Sequence, residues 1–300
     1  MRIDFRDLEK NEKVSQVEAM DFVSPSTLVD EAIQRRSAID NGIRLPWQKF
    51  DGLFAMREGE LVLMGGYSGH FKSTLGEQMA LSAIQQGFKT AIASLELMPS
   101  DVVEHLAGIA AVVEQPAEKW MRQFADYLEG KACIYNCTDP LTPDQAIQLI
   151  AGAALHKKCK FIVLDCLMMA GLGDDYEAER HFAQTLAKMA KRYKICILLI
   201  HHARKPTGDA GEKTLPSKYS FHGSSMLTNT AASIITVLHD KEKAAKRAND
   251  EPFDDDYPDL MFCIAKQRHG KYESAKGLWQ HHKSRAFCAT SQRKLKAVQL

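Results

Sequence analysis

No apolar run in these 300 residues approaches the roughly 20 needed to cross a bilayer, which excludes a spanning helix from the reading. The amino terminus, MRIDFRDLEKNEKVSQ, lacks the apolar core of a signal peptide and the acid-poor, Arg-rich character of a transit peptide. The expectation is a cytoplasmic protein with no membrane partner. Paired CxxC spacing is also missing. Cys133, Cys137, Cys159, Cys166, Cys196, Cys263 and Cys288 form an odd, scattered set, several of them inside apolar runs where a thiol behaves as a small hydrophobe. They read as reduced structural residues, and the only hint of a metal site is His281, His282 and Cys288. An excess of one charge is absent too, the net formal charge being +1. The charges are nevertheless segregated. His281 to Leu300 carries five bases and no acid, and Asp250 to Asp259 carries six acids and no base. Such runs are usually solvated faces.

What is present suits one large α/β domain with a short arm, since 45% hydrophobic and 26% charged residues are ordinary for a globular chain. Residues 1–45 lack a strand pattern and read as an arm with one helix, Leu28 to Asp40, capped by Thr27 with Asp30 and Glu31 in its first turn. Residues 46–300 read as the domain. From Glu60 onward short apolar strands alternate with helical patterns, the signature of a largely parallel sheet. Expected strands are Leu61 to Met64, Thr90 to Leu95, Lys131 to Tyr135, Lys160 to Leu164 and Ile195 to Ile200. Helices are expected at Lys72 to Gln86, after Pro99, at Glu118 to Leu128, at Thr142 to His156 and around Phe182 to Tyr193. Ser233 to Leu238, Leu260 to Ala265, Gly277 to Gln280 and Arg285 to Ala289 read as strands without intervening helices, added antiparallel at the sheet edge.

The segment Gly65-Gly66-Tyr67-Ser68-Gly69-His70-Phe71-Lys72-Ser73-Thr74 joins a buried strand to a helix start. Unpaired N–H groups and the helix dipole make that junction an anion site. Gly66 stands six residues before Lys72, which would reach the β and γ phosphates of ATP, and Ser73 would hold Mg2+. The residue directly before the lysine is Phe71 where glycine is usual, and a side chain there resists the conformation that glycine permits. Ligands of open α/β sheets sit beyond the carboxyl ends of the strands, so Glu96 and Asp165, each closing an apolar run, are candidates for the water-orienting base and the second Mg2+ ligand.

The order of these motifs resembles the RecA-like ATPase domain of hexameric replicative helicases of the DnaB type, a family that includes phage primase-helicases and Twinkle. Ser94-Leu95-Glu96-Leu97-Met98-Pro99 resembles the segment with its catalytic glutamate, and Ile162-Val163-Leu164-Asp165 its Walker B strand. Leu199 to Lys205 is similar to the strand that ends in a polar γ-phosphate sensor, here His202. Lys266-Gln267-Arg268-His269-Gly270 resembles the K-x-R-x-G segment, in which Lys266 and the arginine finger Arg268 would serve a neighbour's nucleotide. The polar loop after His202, with Arg204, Lys205, Lys213 and Lys218 and the turn at Gly223 and Ser224, matches the region that grips single-stranded DNA. The resemblance covers Leu45 to Ser291 and departs at Phe71, Asn229 and Ala232. It implies a RecA-like fold with a mostly parallel sheet and a homo-oligomer, hexameric in the family. It also implies ATP and Mg2+ as cofactors, single-stranded DNA and a primase or loader as partners, and a role in DNA replication. The arm would correspond to the linker and its docking helix. Two other readings stay open: a RadA- or KaiC-like ATPase of recombination or regulation, and a non-hydrolysing DNA-binding or helicase-partner scaffold.

Overall fold

The computed structural model describes residues 23–36, 42–136, 141–166, 176–204, 211–221 and 225–300, and the chain divides into two units, 1–41 and 42–300. In the first unit helix α1 spans Pro25–Arg36. It begins earlier than its expected start at Leu28, because the fixed φ of proline suits the first helical position. Thr27 is therefore inside the helix, not its cap, and its hydroxyl donates back to the Ser24 carbonyl at 2.7 Å. Asp30 and Glu31 accordingly fall beyond the first turn. Residues 37–40 of the expected helix lie outside the described residues.

The second unit opens with a small antiparallel pair, β1 (Ile43–Arg44) and β2 (Ala55–Met56). Then come β3 (Leu61–Gly66), α2 (Lys72–Gln85), β4 (Thr90–Ser94), α3 (Pro99–Ala111) and α4 (Glu118–Leu128). The middle holds β5 (Ala132–Ile134), α5 (Pro143–Leu155), β6 (Phe161–Asp165), α6 (Tyr176–Tyr193) and β7 (Cys196–His202). The last part is α7 (Ser225–Thr230), β8 (Ser233–His239), α8 (Lys241–Ala248), β9 (Leu260–Gln267), β10 (Ala275–Gln280) and β11 (Phe287–Cys288). Nine strands form one sheet in the order β11-β10-β9-β8-β3-β7-β6-β4-β5. From β8 to β5 every pairing is parallel, and β9, β10 and β11 add antiparallel to β8. This is the α/β, RecA-like P-loop architecture, with its antiparallel strands toward the carboxyl end.

Two tail expectations are corrected. Ser233–His239 is parallel to β3 at the middle of the sheet, because the short α7 returns the chain to the starting end of β3. A helix also intervenes between β8 and β9. α8 reads KEKAAKRA, with alanine as its only apolar residue, so it shows no apolar period; it forms on an Asp240 cap that accepts from the Lys243 N–H at 2.8 Å.

Side-chain alternation along β3 explains why its apolar run is continuous. Val62 and Met64 join one core with α2, α3 and α4, while Leu61 and Leu63 join the other with α5 and α6. Ile197 and Leu199 against Leu198 and Ile200 repeat this on β7. Strands covered on both faces need apolar residues at every position, and each buried Leu or Ile contributes about 1.5–3 kcal/mol. The six described cysteines hold no disulfide, and Cys137 lies outside the described residues. Among the described residues no helix is long and apolar enough to cross a membrane.

Candidate active site

β3 ends at Gly66 and α2 begins at Lys72, so the Gly-rich segment is a strand-to-helix loop at the carboxyl edge of the sheet. A Cβ on Gly66 would come within 2.9 Å of the Val237 carbonyl oxygen, so only glycine lets β3 and β8 approach there. Phe71 takes the left-handed conformation, φ 59° and ψ 23°, that glycine ordinarily supplies. The strain of about 1–2 kcal/mol is offset by packing, since its ring lies edge-on to His239 at 4.7 Å and to Phe287 at 5.3 Å. The expected steric obstacle at this position is absorbed by the fold.

The loop borders a cleft of about 280 Å³ lined by Ser68 to Thr74, Glu96, Leu97, His105, Asp165, His202 and Arg285. Adjacent parallel strands place three of these groups side by side, from the end of β4, the end of β6 and the end of β7. Lys72 Nζ donates to the Tyr67 carbonyl at 2.9 Å and lies 3.4 Å from His202 Nδ1. On the far side of that ring, His202 Nε2 is 3.6 Å from Glu96 Oε1. Burial pulls the Lys72 pKa down against the opposing pull of Asp165, Cys166 and Glu96. Asp165 is buried, which pushes its pKa up to about 6, against a hydrogen bond from Ser73. Hard oxygen donors at Ser73 and Asp165 fit magnesium, and a cation there would restore the charge that burial disfavours. Glu96, Cys166 and His202 also bring ligand atoms within 4.8 Å of one another. His281, His282 and Cys288 form no such group among the described residues.

His70 is fully buried and ties the loop to its surroundings. Its Nδ1 accepts the His239 N–H at 2.9 Å, which leaves the proton on Nε2, 3.3 Å from Glu212. Burial lowers its pKa, in keeping with a neutral ring. Tyr67 donates its hydroxyl to the Thr214 carbonyl at 3.0 Å. Glu212 and Thr214, beyond β7, thus tie to the phosphate loop at two points. Of its basic candidates, Lys213 pairs with Glu242, Lys218 lies 5.6 Å from the ring of the exposed Tyr219, and Arg204 is exposed. Lys205, Gly223 and Ser224 lie outside the described residues.

Lys266 and Arg268 are not in the cleft. Gln267 is level with Ser233 and Ser233 with Val62, at the start of β3, whereas the loop follows its end. About four strand residues, roughly 13 Å, therefore separate the pair from the loop of the same chain. Lys266 Nζ donates to the Thr228 and Ala231 carbonyls at 2.8 Å and to Asn229 at 3.3 Å, and Arg268 donates to Asn229, so both cap the end of α7. Burial brings the Lys266 pKa down to about 8, with Arg268 and Lys218 adding repulsion. The sequence reading missed His105 and Arg285 in the cleft, and Glu77 behind them. An acid in the buried run LGEQMAL was the available signal.

A family model described as an AAA domain matches residues 51–208, just over half of the chain. The chain belongs to that family. As an AAA domain it is an ATP-binding and ATP-hydrolysing module, and the matched span runs from before the phosphate loop to just past β7. No curated protein matches it. Among solved structures it is similar to one described as an ATPase domain, with a TM-score of 0.70 at 14% identity over 89% of this chain and 99% of that one. It is also similar to a DnaB-like replicative helicase whose structure was described with its interactions with primase, with a TM-score of 0.68 at 14% identity over 92% of this chain and 70% of that one. At that identity the likeness is one of fold.

Proposed function

We propose that this AAA domain is the motor of a ring-forming DNA helicase that hydrolyses Mg-ATP between subunits and translocates on single-stranded DNA in replication. The observation that carries this reading is the separation of Lys266 and Arg268 from the loop of their own chain. On this reading the two cations, set about four strand residues back from the loop of their own chain, serve a neighbour's nucleotide, and the site is completed between subunits. The exposed Leu28, Val29 and Ile33 of α1 offer an apolar face for docking on the next subunit, and a primase or loader would be a further partner.

In this mechanism the N–H groups of Gly69 to Ser73 cradle the β and γ phosphates, and Lys72 leaves the Tyr67 carbonyl and His202 to reach them. Ser73 and Asp165 would hold magnesium, which when bound would neutralise developing phosphate charge. Glu96 orients a water and takes its proton as the oxygen bonds to the γ phosphorus and the bond to ADP breaks. His202, next to both Lys72 and Glu96, registers whether the γ phosphate is present. The Tyr67–Thr214 and His70–Glu212 contacts carry that state to the segment bearing Lys213, Lys218 and Tyr219, whose cations meet DNA phosphates while the exposed ring can stack on a base. Single-stranded DNA is expected to raise ATP hydrolysis, with Lys72→Ala and Glu96→Gln each losing at least about 100-fold. Equal hydrolysis by parent and both variants, unaffected by DNA, would sink the proposal.

A further inference from the structure

We infer that His105, oriented by Glu77, and Arg285 form the wall of the cleft that takes the sugar and base of the nucleotide; the inference rests on the ATP site proposed above. Glu77 is five residues past Lys72, about 7.5 Å further along the axis of α2, and is buried among core residues. Its Oε1 lies 3.1 Å from His105 Nδ1. Its Oε2 is buried with no hydrogen-bond partner. Burial raises the Glu77 pKa, while His105 and Arg285 oppose that rise. A carboxyl with an unsatisfied oxygen is a costly occupant of a core helix face, where leucine or methionine would pack without that cost.

The pairing has a use at the cleft. With Nδ1 engaged by Glu77, the ring of His105 keeps Nε2 for a ligand, and a carboxylate behind an imidazole fixes both its tautomer and its plane. Arg285 lines the same cleft half-buried, and among the described residues it makes no hydrogen bond or ion pair. A planar guanidinium in that state is suited to stacking on a base. Its position is set by α2 as well, through Gln78, which donates to the Phe287 carbonyl at 2.9 Å and accepts the Phe287 N–H at 3.0 Å. Consecutive residues of one helix thus hold both parts of the wall, Glu77 orienting His105 and Gln78 anchoring the strand next to Arg285. The remaining polar groups of the cleft belong to the loop and to the Lys72, Glu96, Asp165 and His202 cluster, which accounts for the phosphates.

The test compares binding of ATP with binding of inorganic tripolyphosphate, both with magnesium, by calorimetry. His105→Ala and Arg285→Ala are each expected to weaken ATP about tenfold and to leave tripolyphosphate within about twofold, whereas Lys72→Ala weakens both. Tripolyphosphate binding also reports that each variant is folded. Glu77→Leu, which fills the core without an acceptor, is expected to reproduce the ATP loss of His105→Ala and to add nothing in the double variant, while Glu77→Gln, which still accepts from Nδ1, restores most of the affinity. Equal weakening of both ligands by His105→Ala and Arg285→Ala would assign these residues to phosphate and overturn the inference, as would unchanged ATP binding. A Glu77→Leu effect that persists in the His105→Ala background overturns the orienting role. A parent that binds neither ligand overturns the nucleotide site itself, an outcome distinct from all of these.

Discussion

At the residue scale, Phe71 and Asp165 show how the fold holds groups in states their sequence neighbours do not favour. Phe71 occupies a left-handed position and recovers stability by packing on His239 and Phe287. Phe71→Ala removes the ring and keeps the strain, while Phe71→Gly removes both. The glycine variant should therefore be the more stable of the two by about 1 kcal/mol, and both should lie below the parent by at least that much. Urea denaturation measures the order. Asp165 has a folded pKa of about 6, raised by burial above the ordinary aspartate value of 3.8. The unfolded chain releases this proton first, so the group's contribution to stability is intact below about pH 4 and lost as pH rises through 6, by roughly 3 kcal/mol. Without nucleotide and magnesium, Asp165→Asn should melt above the parent at pH 8 and level with it near pH 4.

At the scale of elements, the acidic and basic runs of the tail meet in one network with Lys243, Asp259 and Arg293 buried at its centre. Asp259 on the approach to β9 accepts from Lys243 and Arg247 of α8 and from Arg293 of the tail, with Asp255 completing the Arg293 fork. Burial alone would raise the Asp259 pKa, but Lys243, Arg247 and the Gln280 N–H hold it below the usual range. Asp259→Asn leaves Lys243 a buried cation without its counter-ion and Arg293 with Asp255 alone, and should cost about 3–5 kcal/mol. If the measured loss is under 1 kcal/mol, the network does not hold α8 and the tail to the sheet. The two charge runs were visible in the sequence, yet a run shows only where charges lie along the chain. Their mutual burial depends on α8, which an apolar-period reading passes over.

At the scale of the whole molecule, the proposed trans role of Arg268 would make activity a property of the assembly. In the proposed ring, an Arg268→Ala subunit keeps an intact phosphate loop and a Lys72→Ala subunit keeps an intact finger. Each alone should be nearly inactive, and mixing them should restore part of the hydrolysis at interfaces that pair the good loop with the good finger. Sedimentation with ATP and magnesium should show the oligomer. Full activity of Arg268→Ala alone would return Lys266 and Arg268 to the purely structural task of capping α7.

The alternation of buried strands and helices and the place of the strand-to-helix loop were legible in the chain itself, because both are written in contiguous residues. A strand covered on two faces must be apolar throughout, and an anion site at a helix start needs its glycines and lysine within one short loop. Only folding could settle that β8 runs parallel beside β3, that Phe71 can take a glycine conformation, and that Glu77 meets His105 across two helices. Strand order, strain relief and side-chain pairing depend on which distant segments come within a few ångströms, and no local pattern encodes that distance. In the chain the loop is a set of glycines and a lysine; the fold adds Glu96, Asp165 and His202 from distant strand ends to the same cleft.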